Sequence, residues 1–230
     1  MTTAPASERP PLDPQAPDLT AQDGHVHERQ AERARRDHIA AAAERAFVRH
    51  GFHAATMQQV AEEAGMSAGN LYRYFPSKEA LVDGICLLDQ RERGAAFHAL
   101  AASGDVLGML ETMLRDNLLN KPRHKAVMFL EVAAEAGRNP RIAAMMQTND
   151  AEVIAGLTHL VEAAKANGEA VASLEAGFAA RLIFTYVGGL FRRRALDEAF
   201  DVEAEAAMTM ALLRALFAGA IAPSGRSETP

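Results

Sequence analysis

The chain has 230 residues, a formal net charge of −6, one cysteine and no tryptophan. The lone thiol excludes an internal disulfide, and no apolar run approaches the roughly 18 residues that a membrane-spanning helix needs. Apolar residues make up 49% but aromatics only 6%, so the core must be built from Ala, Leu, Val and Met, which favours an all-α fold over sheets.

The first 27 residues hold five of the ten prolines, few large apolar side chains and no periodicity. They cannot repay the entropy of ordering, so residues 1–30 are expected as a disordered arm. Arg33, Arg35 and Arg36 form a small basic cluster just ahead of the first helix. In that helix Ile39, Ala43, Ala46, Phe47 and His50 share one face, and Gly51 ends it.

Thr56-Met-Gln-Gln59 reads as a capping box that opens a short helix with Met57, Val60, Ala61 and Ala64 on one face. Gly65 stops it, and Ser67 caps a second short helix, 68–75, in which Leu71 and Phe75 face inward while Asn70, Arg73 and Tyr74 face out. Two short helices joined by a glycine turn over 56–75 form a helix-turn-helix. Ala68 and Gly69 leave room for close approach to base edges. Asn70 and Arg73 supply donors for bases or phosphates, and Tyr72 and Tyr74 offer hydroxyls for phosphate oxygens. Spacing alone leaves an ordinary bundle pair equally open.

A long amphipathic helix follows from Pro76 and Ser77 to about Ala101. Further helices are predicted over about 106–119, 123–136, 140–167, 174–196 and 202–220, with 222–230 as a disordered tail. The net charge of −6 hides a local difference: residues 28–80 carry eight Lys or Arg against seven Asp or Glu, so they sum to +1 and the rest to −7. A basic face for nucleic acid is confined to that window.

The stretch RRDHIAAAAERAFVRHGFHAATMQQVAEEAGMSAGNLYRYFPSKEALVDGI resembles the DNA-binding domain of the tetracycline-repressor (TetR) family. The resemblance rests on Ala-Phe before a glycine, the Thr that opens helix two, Ala-Gly before the turn, Ser-x-Gly, Leu-Tyr, the aromatic pair ending in Phe, and Lys-Glu. It implies a three-helix DNA-binding domain over 31–82 and a helical effector-binding and dimerisation domain over 83–221. It assigns phosphate contacts to Thr56, Tyr72, Tyr74 and Lys78, and base-facing roles to Ala68, Gly69, Asn70 and Arg73, with Ser67 opening the recognition helix. Tyr74 departs from the family pattern, where many members carry His.

The expected function is a dimeric, ligand-responsive repressor on a pseudo-palindromic operator in the cytoplasm. The alternative is a DNA-bound protein whose second domain takes a protein partner. The dimer surface is expected on 174–196, with Gly188 and Gly189 allowing close approach, and on the last helix through Met208, Leu212, Leu213 and Leu216. Candidate pocket residues are Phe97, Met109, Met113, Asn117, Met128, Phe129, Glu131, Phe184 and Tyr186, with Glu131 and Glu135 suited to a cationic ligand. His98, His124 and His159 are scattered without a nucleophile, so no enzyme, metal or cofactor is expected.

Overall fold

A computed structural model describes residues 19–102, 104–116 and 123–221. Among the described residues every regular element is a helix: α1 (Leu19–His50), α2 (Met57–Glu63), α3 (Ala68–Tyr74), α4 (Lys78–Ala102), α5 (Val106–Arg115), α6 (Arg123–Ala136), α7 (Pro140–Ala166), α8 (Ala176–Leu196) and α9 (Val202–Phe217). No helix among the described residues is long and apolar enough to cross a membrane.

The chain divides into residues 1–36 and residues 37–230. In the first unit α1 starts at Leu19, inside the stretch expected as a disordered arm. The correction has a simple cause. Residues 27–36 are exposed, yet Ala, Glu, Gln and Arg are strong helix formers, and adding residues to an existing helix avoids the cost of nucleation. The expected arm at 1–18 and the tail at 222–230 lie outside the described residues.

Two apolar cores organise the second unit. The first gathers Ile39, Phe47, Val60, Leu71 and Leu81, and it also takes Val132 from α6 and Ile142 from α7. The boundary expected after residue 82 therefore falls within α4, and later helices complete the core beneath the helix-turn-helix. The second core is built by α5, α7, α8 and α9 around Leu110, Leu160, Ile183, Met210 and Phe217.

Helix starts follow local chemistry. Asn139 Oδ1 accepts from the amides of Arg141 and Ile142 with Pro140 at the first position of α7, and Asp201 accepts from Ala204 at the start of α9. At α5 the Asp105 cap is reinforced by Glu169, whose carboxylate accepts from Val106 N at 2.8 Å and Leu107 N at 2.9 Å. Leu213 and Leu216, expected on the dimer surface, are buried in the protomer's own core at 4% and 0% exposure. Both lie on the inward stripe of α9, while Met208 is 49% exposed on the outer side.

Candidate nucleic-acid interface

The helix-turn-helix forms as its caps dictate. Thr56 is extended at φ −107°, its hydroxyl accepts from Gln59 N at 3.2 Å, and Gln59 Oε1 accepts from Thr56 N at 2.9 Å. Gly65 takes φ +65°, a left-handed conformation that a side chain disfavours, and this ends α2. Ser67 Oγ then accepts from Asn70 N at 3.3 Å to start α3. Leu71 is fully buried and Phe75 nearly so, which anchors the inner side of α3.

The outer side of α3 presents Gly69, Tyr72 and Arg73, all exposed, with Tyr72 at 51%. A Cβ placed on Gly69 would meet nothing within 4 Å, so the backbone there is open to a partner. Asn70 is half-buried, whereas Ala68 and Tyr74 pack partly against the first core. Tyr74 is therefore less exposed than its spacing suggested, because Phe75 draws the end of α3 inward.

Neighbouring helices hold this pair in place. Glu63 of α2 accepts from Arg45 Nε and Arg49 Nη1 of α1, both at 2.8 Å, and the Arg45 hydrogen bond leads in holding its carboxyl below the usual carboxylate range. His38 Nε2 lies 3.1 Å from the carbonyl oxygen of Ala64, a further tie between α1 and the end of α2. Lys78 donates from Nζ to the carbonyls of Phe52 at 2.8 Å and His53 at 2.9 Å, and stands 5.0 Å from the Phe52 ring centroid. Two of its three N–H groups are thereby engaged.

The expected pocket residues scatter. Only Phe97 lines the cleft of about 640 Å³ between α4 and α7, together with Arg93, Glu152, Gly156, His159 and Glu162. A Cβ on Gly156 would stand 2.4 Å from the Phe97 ring, so glycine is what lets that ring lie against α7. Met109, Met113, Phe184 and Tyr186 pack against the second core, and Met128 against the first. Phe129 is 42% exposed on α6. Asn117 lies outside the described residues. The Glu131 carboxylate is engaged by the α1–α2 turn, accepting from the Phe52 amide at 2.5 Å. Glu135 likewise turns to the α1–α2 turn, 3.1 Å from His53 Nε2. Sequence spacing placed both carboxylates on one face of α6 but could not show that the face meets a backbone turn.

Among the described residues no group of three His, Cys, Asp or Glu side chains is placed to hold a metal ion. Cys86 is half-buried in α4, and burial pushes its thiol up to about 11. At pH 8 only about one thiol in a thousand is then ionised, and the thiolate is the reactive form. Alkylation of the native protein by iodoacetamide at pH 8 is expected to be at least about tenfold slower than that of free cysteine, as followed by mass spectrometry.

Residues 39–85 match the family model described as bacterial regulatory proteins, tetR family, and residues 107–218 match the BetI-type transcriptional repressor C-terminal model. The HTH-type transcriptional regulator UidR of Escherichia coli K12 is 30% identical over 190 residues, covering 82% of this chain and 94% of UidR. The chain belongs to the TetR family. TtgR of Pseudomonas putida, another TetR relative, is 30% identical over 173 residues, covering 69% of this chain and 79% of TtgR. GusR of Salmonella enterica shares the TetR fold at a TM-score of 0.66 and 28% identity, over 80% of this chain and 95% of GusR. FadR of Bacillus subtilis, solved with stearoyl-CoA, matches in fold alone at 17% identity and a TM-score of 0.63, over 79% of this chain and 97% of FadR. As a TetR protein the chain is a transcription regulator that binds DNA, and not an enzyme. TetR-family regulators bind DNA operators as dimers and bind small-molecule effectors, as FadR does stearoyl-CoA.

Proposed function

We propose that the chain is a ligand-responsive repressor that binds a pseudo-palindromic operator as a homodimer, with its two α3 helices in successive major grooves. The observation that carries this reading is α3 itself: capped by Ser67, seated on Leu71 and Phe75, and open at Gly69, Tyr72 and Arg73. Ala68, Gly69, Asn70 and Arg73 face bases, and Thr56, Tyr72, Tyr74 and Lys78 contact phosphates. Half-sites then lie about 34–36 Å apart, one helical turn of DNA. The partner chain sits against α8 and α9, where Gly188 and Gly189 are exposed with nothing within 4 Å of a Cβ, and Met208 is open.

Repression is supported by the match to the BetI-type transcriptional repressor model. Ligand response is supported by the α4–α7 cleft, whose 640 Å³ exceeds the roughly 300 Å³ at the lower end of small-molecule sites. Its apolar Phe97 and Val153 beside polar Arg93, Glu152, His159 and Glu162 suit an amphipathic molecule.

The DNA contacts are tested by Tyr72→Ala and Lys78→Ala on a duplex selected from a random pool. Both are expected to weaken binding across sequences, and Lys78→Ala to reduce the salt slope by about one unit for each phosphate that the lysine neutralises. Unchanged binding in both variants removes these assignments. Ligand response is tested by screening small molecules for a rise in melting temperature, then asking whether each hit releases the duplex. Hits that leave operator affinity unchanged contradict it.

A further inference from the structure

The α1–α2 turn, residues 51–55, is held from two sides. From α4, Lys78 binds the carbonyls of Phe52 and His53. From α6, Glu131 Oε2 accepts the Phe52 amide at 2.5 Å, and both carboxylate oxygens lie 3.4 Å from where a Cβ on Gly51 would stand. The peptide between these grips leads directly into Thr56, the cap of the helix-turn-helix. Just beyond the end of α6, Arg138 reaches Glu135 Oε2 at 2.5 Å and also contacts His53 Nε2, and at the other end of α6 Lys125 pairs with Glu44 of α1 at 2.7 Å.

We propose that Glu131 is a positioning residue through which α6, already seated in the first core by Val132, sets the place of the α1–α2 turn and the helix-turn-helix. This deepens the ligand-responsive reading and rests on it for its regulatory meaning. The Arg138 and His53 contacts tolerate sliding, since these side chains are 60% and 57% exposed and can follow a moving partner. The Glu131 bond cannot slide. Its acceptor is a short reach from α6, its donor is a backbone amide, and Phe52 is only 3% exposed, so water does not readily replace the partner. A shift of α6 by about 1 Å takes that bond to the limit of hydrogen bonding, and helix shifts of roughly 1–2 Å are what switching transitions produce. α6 also packs on α7 and α8, and α7 forms one wall of the α4–α7 cleft, so a ligand in that cleft reaches α6 through α7.

Coupling is reciprocal: if α6 reports to the helix-turn-helix, DNA on the helix-turn-helix must act back on α6. The test therefore needs no effector. Hydrogen exchange of the full chain is measured with and without a duplex selected from a random pool, in the wild type and in Glu131→Ala, Glu131→Asp and Glu131→Gln. In the wild type the duplex is expected to slow exchange across residues 126–136 as well as in α3. In Glu131→Ala and in Glu131→Asp, whose carboxylate is one methylene short, slowing at 126–136 disappears, slowing in α3 persists, and duplex affinity falls roughly fivefold or more. Glu131→Gln, which keeps reach and an acceptor oxygen, retains most of both. If Glu131→Ala does not fold, Glu131→Asp against Glu131→Gln decides between reach and a merely structural role. DNA-induced slowing at 126–136 that is absent in the wild type, or unchanged in Glu131→Asp, overturns the proposal. A protein that shows this slowing but responds to no small molecule keeps the coupling and loses only the ligand-responsive reading.

Discussion

Leu71→Ala is expected to lower the stability of the protein by about 2–5 kcal/mol and to abolish specific DNA binding. Leu71 is fully buried in α3, a helix of only seven residues that makes too few backbone bonds to stand alone. Its place depends on burying Leu71 and Phe75 in the first core, which also holds Val60, Phe47 and Leu81. Removing the side chain leaves a cavity under the helix that must present Gly69, Tyr72 and Arg73 together. Denaturant unfolding followed by circular dichroism measures the first effect, and a gel shift on the selected duplex measures the second. A loss below about 0.5 kcal/mol would show that α3 is held by something other than this core.

Arg73→Ala is expected to cost about 1–3 kcal/mol for each half-site, hence about 2–6 kcal/mol for a symmetric dimer on its operator. Arg73 is exposed on the outer side of α3. The loss divides into a part common to all sequences and a part confined to the base pair that Arg73 reads. Comparing wild type and variant on the selected duplex and on a set of single-position changes separates the two. If Arg73 faces bases, discrimination flattens at one position in each half-site. If affinity falls equally on every sequence, it contacts phosphate only.

The sequence made the helix-turn-helix legible because its determinants are local. Thr56 and Gln59, Ser67 and Asn70, and Gly65 at φ +65° act within three or four residues of one another. The buried set Val60, Leu71 and Phe75 follows from the same short-range periodicity. What escaped was non-local. The Phe52 amide finds its acceptor 79 residues away on Glu131, and no spacing rule links a turn to a carboxylate that distant. The inward side of α9 is set by which stripe meets α5, so Leu213 and Leu216 could not be told from interface leucines by pattern alone. Met109, Met113, Phe184 and Tyr186 have the composition of a pocket lining and pack instead against the second core, as adaptable apolar side chains do. The start of α1 at Leu19 is masked in the sequence by the prolines that precede it, although the stretch that follows is rich in helix formers.

The acidic chain sharpens what DNA binding requires. With a net charge of −6, the proposed contacts confine attraction to phosphate to the few bases around the helix-turn-helix, so one copy of Arg73 and Lys78 is expected to give little affinity and two copies acting together to give enough. The most direct test is titration of the full chain onto a duplex selected from a random pool, across a range of salt concentrations, with stoichiometry from mass measurement. The account predicts two chains per duplex, a selected site with two-fold sequence symmetry, and an affinity that falls linearly with the logarithm of salt. Failure to select any sequence, or one chain bound to a site without symmetry, would contradict it.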